Sequence, residues 1–374
     1  MLKNRKRPHL SVSSINLQHH SSEIIKSVFP KWQKILSSGV FLQGPQIEIF
    51  EKKFAQFCGA KYCALVASGT DALYLVLKAI GIKPGDEVIT PSFTFVATSV
   101  AIVRCGAKPV FVDIDQKSFN IDPEQIEQKI SPKTKAILPV DLFGQMADME
   151  KIRTITQKHK LKIIEDACQA HGASTNGKSP ASLSDAAAFS FYPTKNLSSF
   201  SDSGAVVTND QTIFQKVKKL ANYGYIEKYI AGEIGTNSRS DEFQAVWLQE
   251  SLKKLPRWNK KRQILAKRYK KLLSDLPIIL PEFSPGANHV YHQFVIRTAK
   301  RNLLKKFLFK NHIATNIHYP KPIHLQPAFK FLGKPKLINS EKVAREILSL
   351  PIYPQLSIKQ QNYICDNIKA FFNK

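Results

Sequence analysis

The chain has 374 residues, 43% of them hydrophobic, enough to bury a large core and to form two domains. No run approaches the roughly 18 apolar residues of a membrane-spanning helix, and the basic opening stretch MLKNRKRPHLSVSSINLQHH lacks the apolar segment of a secretory signal. Lys and Arg total 55 against 29 Asp and Glu, a formal net charge of +26 that favours anionic partners: nucleic acid, an acidic membrane surface or a phosphorylated substrate.

From about residue 60, short apolar runs alternate with amphipathic helical stretches. The run CALVA precedes the helix pattern ALYLVLKAI, and EVIT precedes TFVATSVAIVRCG. PVFVDI precedes DPEQIEQKI, KAILPV precedes DMEKIRTITQKHK, and KIIEDA closes the series. This order predicts βαβ units and a mostly parallel sheet covered on both faces, with AAAFSF and GAVVT as further strands of it. After about residue 250 the helical patterns DEFQAVWLQESLKKL and KRQILAKRYKKLL lead into a Pro-marked region. HQFVIRT then alternates as a strand, and RNLLKKFLFKN and KQQNYICDNIKAFF read as helices. The expected class is α/β, with a large domain over residues 1–250 and a smaller α+β domain over 251–374.

The five cysteines (Cys58, Cys63, Cys105, Cys168 and Cys365) never pair as CxxC, so neither a disulfide framework nor a zinc site is expected, and the cytoplasm is the expected location. His289 and His292 lie three apart without a carboxylate or thiol at ligand spacing, so no metal is expected. The charge excess is lysine spread along amphipathic segments such as FQKVKKLANY, with no basic tail. It reads as a solvated surface rather than a nucleic-acid face.

Three places carry chemistry. Glu165-Asp166 close an apolar strand at its carboxyl end, where ligands gather in open α/β sheets, although an Asp there can also cap a helix or hold Mg²⁺. Lys195, in SFYPTKNL, again lies just beyond a strand; a lysine for Schiff-base chemistry needs such a place and must lose its proton easily. Ala67-Ser68-Gly69-Thr70-Asp71 opens a helix with small and hydroxyl residues, which makes a phosphate site or a plain N-cap. Together they fit pyridoxal phosphate, which needs an amine for its aldehyde, an acid for its ring nitrogen, an anion site and an aromatic face. Phe95 is placed to supply that face or to pack in the core.

The segments FLQGPQIEIFEKKFAQFCGAKYCALVASGTDAL, GDEVITPSFTFVATSVAIVRCGAKPVFVDID, IIEDACQAHGA, FSFYPTKNL, GTNSRSDEFQAVWL and IHYPKPIHLQPAF resemble the DegT–DnrJ–StrS family of sugar aminotransferases, in the right order from about residue 25 to the C-terminus. The resemblance implies the fold type I architecture of aspartate aminotransferase, a homodimer with shared active sites, and amino transfer from L-glutamate to a nucleotide-linked keto-sugar. Surface polysaccharide, such as lipopolysaccharide, or deoxyaminosugars would be the products' destination. Residue by residue, it implies that Lys195 binds the cofactor aldehyde and shuttles a proton, Asp166 holds the pyridine nitrogen and Gln169 the phenolic oxygen. Phe95 stacks on the ring, and Gly69, Thr70 and Ser190 hold the phosphate with Asn237 of the neighbouring subunit. His324, Tyr319 and Arg239 fall at substrate-binding positions. HYPKPIHLQPAF looks more like members acting at sugar carbon three than at carbon four. Relatives with histidine in place of the lysine act as dehydratases, and Lys195 argues for transamination.

Two departures stand out. Where the family reads GxYGDGGA, this chain reads Ser198-Ser199-Phe200-Ser201-Asp202-Ser203-Gly204-Ala205, with serine at three usual glycine positions. If one of them needs a positive φ, the loop beside Lys195 takes another path or carries strain. The LRNHG-like stretch is Leu220-Ala221-Asn222-Tyr223-Gly224, without its histidine. These changes and the +26 charge motivate a competing reading, a non-catalytic basic or regulatory protein that binds nucleic acid on the same fold.

Overall fold

The computed structural model describes residues 10–373, so the first nine residues of the basic opening stretch lie outside them. Chain order gives α1 (Ile25–Ser38), α2 (Pro45–Phe57), β1 (Tyr62–Val66), α3 (Gly69–Ala79), β2 (Glu87–Pro91), α4 (Ala97–Arg104), β3 (Lys108–Val112) and β4 (Thr134–Ile137). Then follow α5 (Met149–His159), β5 (Lys162–Asp166), β6 (Ala186–Ser190), β7 (Gly204–Thr208), α6 (Gln211–Ala221) and α7 (Glu242–Leu272). The chain closes with β8 (Phe294–Arg297), α8 (Arg301–Lys310), α9 (Ile338–Glu346), β9 (Ile347–Leu350) and α10 (Ile358–Phe372).

The first seven strands form one sheet in the order β1-β7-β6-β5-β4-β2-β3. All neighbours are parallel except β7, which runs antiparallel to both β1 and β6. Successive side chains of a strand face opposite ways, and here both ways lead to a core. In β1, Ala64 and Val66 join the cluster under α3, α4 and α6, whereas Cys63 and Leu65 join the one under α2, α5 and the first half of α7. That double burial is why these strands read as continuous apolar runs.

A third core, built from Phe294, Ile296, Leu304, Leu308, Leu348, Leu350, Ile364 and Ile368, holds the antiparallel pair β8–β9 against α8 and α10. Val12 belongs to this core too, tied by its N–H to His312 O at 2.9 Å. Helix α7 crosses the expected boundary at residue 250 unbroken. Its Ala245, Leu248 and Leu255 serve the large core, and its Leu265, Ala266 and Tyr269 the small one.

Two local expectations change. DPEQIEQKI forms two 3₁₀ turns, Pro123–Gln125 and Glu127–Lys129, in place of a helix. Ser131-Pro132 follows at once, and the residue before a proline is pushed out of the helical region. The two helical stretches after residue 240 merge into α7 through Pro256, whose exposed side costs the helix only one backbone bond.

Candidate active site

The carboxyl ends of β4, β5 and β6 and the amino end of α3 surround a cavity of about 390 Å³. It is lined by Gly69, Thr70, Phe95, Asp166, Gln169, Ser190, Lys195 and Tyr319, all named from the sequence, together with Ser68, Thr94, Tyr192, Asp202, His292, Gln293 and His318.

Gly69 is the first residue of α3, and Ser68 caps it by accepting a hydrogen bond from Asp71 N at 3.1 Å. The Ser68 cap uses one amide, and those of Gly69 and Thr70 head the helix without intrahelical acceptors, as an anion site requires. Close packing brings this helix end to the cavity. A Cβ on Gly69 would lie 2.5 Å from Ser190 Cβ, and one on Gly204 2.4 Å from the Ser68 carbonyl carbon.

Asp166 ends β5, buried, its Oδ2 accepting from Thr98 Oγ1 at 2.7 Å and its Oδ1 from Cys168 N at 3.3 Å. Thr98 Oγ1 lies 3.1 Å from Thr94 Oγ1. Gln169 accepts from Phe143 N at 2.8 Å and donates to Tyr319 Oη at 3.1 Å. Phe95, half exposed, tilts over the cavity with its ring 5.9 Å from that of Tyr319.

Lys195 follows β6 in a turn closed by its own N–H to Tyr192 O at 2.9 Å. Desolvation lowers its pKa from the ordinary lysine range, against the opposing pull of Cys168 and Asp166. The imidazoles beside it are pushed down as well, first by burial and then by the Lys195 charge, His318 to about 4. The site thus sets two imidazoles held neutral by burial beside an amine whose pKa is lowered.

The serine-rich segment after Lys195 is ordered and tied down. Ser199 Oγ donates to Gln244 Oε1 at 2.7 Å, Trp247 Nε1 donates to Ser198 O at 3.0 Å, and Phe191 N donates to Ser203 O at 2.8 Å. None of residues 198–203 has a positive φ, so the three serines adopt ordinary conformations and the anticipated strain is absent.

Three predicted residues stand outside the cavity lining of their own chain. His324 is buried, its Nδ1 2.6 Å from Ser92 Oγ and its Nε2 3.5 Å from Glu341 Oε1. Asn237 accepts from Arg239 Nε at 3.0 Å, and Arg239 lines a separate groove with Ser238 and Ser240. Ser238 bonds Ala67 N and Asp71 Oδ2, so this segment stands alongside the start of α3. Among the described residues, no group of three or more His, Cys, Asp or Glu side chains is placed to hold a metal ion, and no helix is long and apolar enough to cross a membrane.

The donor set fits pyridoxal phosphate. An anion would sit on the helix end exposed by Gly69 and Gly204, a ring nitrogen would face Asp166, and an aldehyde would reach an amine whose proton is easily lost.

Comparison with known proteins agrees with this chemistry. A curated Geobacillus stearothermophilus protein named "Pleiotropic regulatory protein" is 42% identical over 97% of this chain and 99% of its own. The dTDP-3-amino-3,4,6-trideoxy-alpha-D-glucose transaminase of Streptomyces venezuelae is 44% identical over 90% of each chain. The crystal structure of S. venezuelae DesV in complex with a ketimine intermediate superposes with a TM-score of 0.95 at 41% identity, covering 97% of this chain and 99% of that one. Residues 22–369 match the profile of one family, and on that extent the chain belongs to the DegT/DnrJ/EryC1/StrS aminotransferase family.

Proposed function

We propose that this transaminase moves an amino group from L-glutamate to the keto carbon of a dTDP- or UDP-linked 6-deoxy-sugar, at carbon three, for surface polysaccharide or deoxyaminosugar synthesis. The observation that carries the reading is the meeting of the Lys195 amine and the Asp166 carboxylate across one cavity beside the amino end of α3. HYPKPIHLQPAF, whose Tyr319 reaches the cavity, and the 3-amino-sugar transaminase at 44% identity support carbon three.

When bound, the cofactor supplies an electron sink next to a carbon–hydrogen bond and carries nitrogen from donor to acceptor. The protein's residues do the rest. Thr98 and the Cys168 amide orient Asp166 toward the ring nitrogen. Lys195, its pKa lowered by burial, would move a proton between the substrate carbon that bears nitrogen and the cofactor carbon that held the aldehyde, one way with the donor and the other way with the sugar. Gln169 would hold the phenolic oxygen, with Tyr319, bonded to it, at the sugar side of the cavity. Phe95, half exposed at the cavity, would stack on the cofactor ring.

Asn237 and Arg239 stand beside α3 but outside their own cavity, which supports a homodimer in which each chain completes its partner's site. Exposed Ile226, Tyr229 and Ile234 on the adjoining loop support the same pairing.

The test is incubation of the purified enzyme with pyridoxal phosphate, glutamate and a panel of dTDP- and UDP-keto-sugars, identifying products by mass and NMR, with sedimentation equilibrium on the same sample. The expected result is 2-oxoglutarate, a 3-amino sugar and a two-chain particle. Lys195→Ala should lose turnover by at least about 10³-fold. Retained turnover in that variant, or salt-sensitive DNA binding without any cofactor absorbance, would overturn the reading.

A further inference from the structure

Two buried carboxyl groups on the sheet face away from the cavity take no part in the scheme above. In β5, Glu165 shares the pleat with Ile163 and points into the core beneath α2, α5 and α7, while Asp166 turns to the cavity. Asp141 lies just past β4, and its N–H donates to Asp166 O at 3.0 Å. Both carboxyls are fully buried.

One oxygen of each is satisfied. Asp141 Oδ1 accepts from Ala147 N at 2.9 Å. Glu165 Oε1 accepts from Ala181 N at 2.8 Å and from the Ser184 hydroxyl. The other two, Asp141 Oδ2 and Glu165 Oε2, are buried without a partner. An orphaned carboxylate oxygen in a dry core is costly, and two of them on neighbouring strands would also repel. The parallel pairing of Val140 with Asp166 puts both side chains on the same face of adjacent segments, two positions apart, so one proton held between them removes both costs.

We propose that Asp141 and Glu165 share one proton, as a carboxylic acid bonded to a carboxylate, and that this pair positions Asp166 from behind. Burial pushes both groups up, Glu165 to about 7, and the Glu165 charge adds to the rise of Asp141, with a smaller contribution from Asp166. The titratable groups facing the pair are Asp166, Cys58 at the end of α2, whose thiol Glu165 helps to push up, and Cys168, which feels Asp141. None of them is a cation that could take the proton's place. The pair locks segment 139–141 to the end of β5, where Asp166 N also donates to Pro139 O at 2.9 Å. The positioning role rests on the cofactor assignment of Asp166 above; the shared proton does not.

A carboxyl whose pKa is raised on folding contributes stability that is fully present below its unfolded value and lost as pH rises through the folded one. For Glu165 that window runs from 4.5 to about 7. Asp141→Asn and Glu165→Gln each place an amide N–H where the proton lies and keep the acceptor oxygen already in use. Denaturant unfolding of the holoenzyme and both variants from about pH 5 to pH 8, with infrared spectra of the protonated-carboxyl stretch, reads the proton directly. The wild-type unfolding midpoint should fall across that range. Each single variant should hold a flatter midpoint and lose the buried carboxylic-acid band. The double variant, which sets two amide nitrogens donor against donor, should be less stable than either single one. A wild-type pH dependence and band in both single variants, or an additive double variant, overturns the shared proton. The positioning role is read separately: Asp141→Ala should shift the pH profile of cofactor absorbance and Asp141→Asn should restore it, whereas identical profiles in all three would sink that role alone.

Discussion

Asp166 Oδ2 receives the Thr98 hydroxyl at 2.7 Å, and that hydroxyl is fully buried. Thr98→Val keeps the shape and removes the donor, and hydrogen bonds to charged groups contribute about 1.5–3 kcal/mol. If Asp166 must stay aimed at the ring nitrogen, kcat/KM should drop by roughly 10-fold or more, with the melting temperature lowered by a few degrees as the carboxylate loses a buried donor; an unchanged kcat/KM would show that Asp166 needs no such support. At this scale the sequence was informative where a residue sits on a regular frame. Gly69, Thr70, Asp166 and Ser190 lie at strand ends or a helix start and Lys195 in the turn just past one, so the strand and helix pattern brings them to one end of the sheet. Of these, Ser190 was named only by the family resemblance. His292, Gln293 and His318 reach the cavity from irregular segments, where no periodicity tells which way a side chain turns. His324 shows the reverse: the short turn Ile323–Leu325 seats Ile323 among Phe111, Phe329 and Leu337 and draws the imidazole inward with it.

Elements explain why the site's glycines matter more than its serines. Gly204 pairs with Val66 on β1 and Ser190 on β6, directly under the first turn of α3. A methyl there would meet the Ser68 carbonyl oxygen at 2.5 Å and Gly69 N at 2.6 Å, all backbone, so the amino end of α3 must move out of the cavity. Gly204→Ala is therefore expected to raise the dissociation constant of pyridoxal phosphate by about 10-fold or more, about 1.4 kcal/mol, with far-ultraviolet circular dichroism unchanged; wild-type affinity would mean that the helix end does not hold the phosphate. The seven strands of the large sheet were legible because burial on both faces gives apolar runs of strand length. β9 was not, since ILSL is four residues caught between α9 and a proline, too short to show a period. The break after PVFVDI was missed for a related reason: the spacing of Ile126 and Ile130 suits a helix turn, and the prolines on either side decided otherwise.

The arrangement of the whole molecule depends on how firmly its smaller core is fastened to the sheet, because His318 and Tyr319 enter the cavity from that side. His318 Nδ1 is bonded to Ser349 Oγ on β9 at 2.9 Å, and β9 directly follows α9. The start of α9 is anchored to the large sheet through Asp113, which accepts from Asn339 N and Ser340 N at 2.8 Å and from Ser340 Oγ at 2.6 Å. Beside it, Arg297 on β8 donates to Gln116 O at 3.0 Å and pairs with Glu346 at 2.8 Å, buried rather than screened by solvent. A carboxylate on the free amides of a helix start offsets the orphan donors there and complements the helix dipole. Asp113→Ala removes the three contacts to α9 and the one to Ile114 N, leaving those donors without their acceptor, at a cost of about 2–4 kcal/mol. The expected outcome is a lower unfolding midpoint together with a raised KM for the sugar, since the cavity wall carrying His318 loses its register with Lys195. Asp113→Asn, which keeps one acceptor oxygen, should recover part of both. If the midpoint falls while KM stays at the wild-type value, the clamp serves stability alone and the wall carrying His318 is held by other contacts.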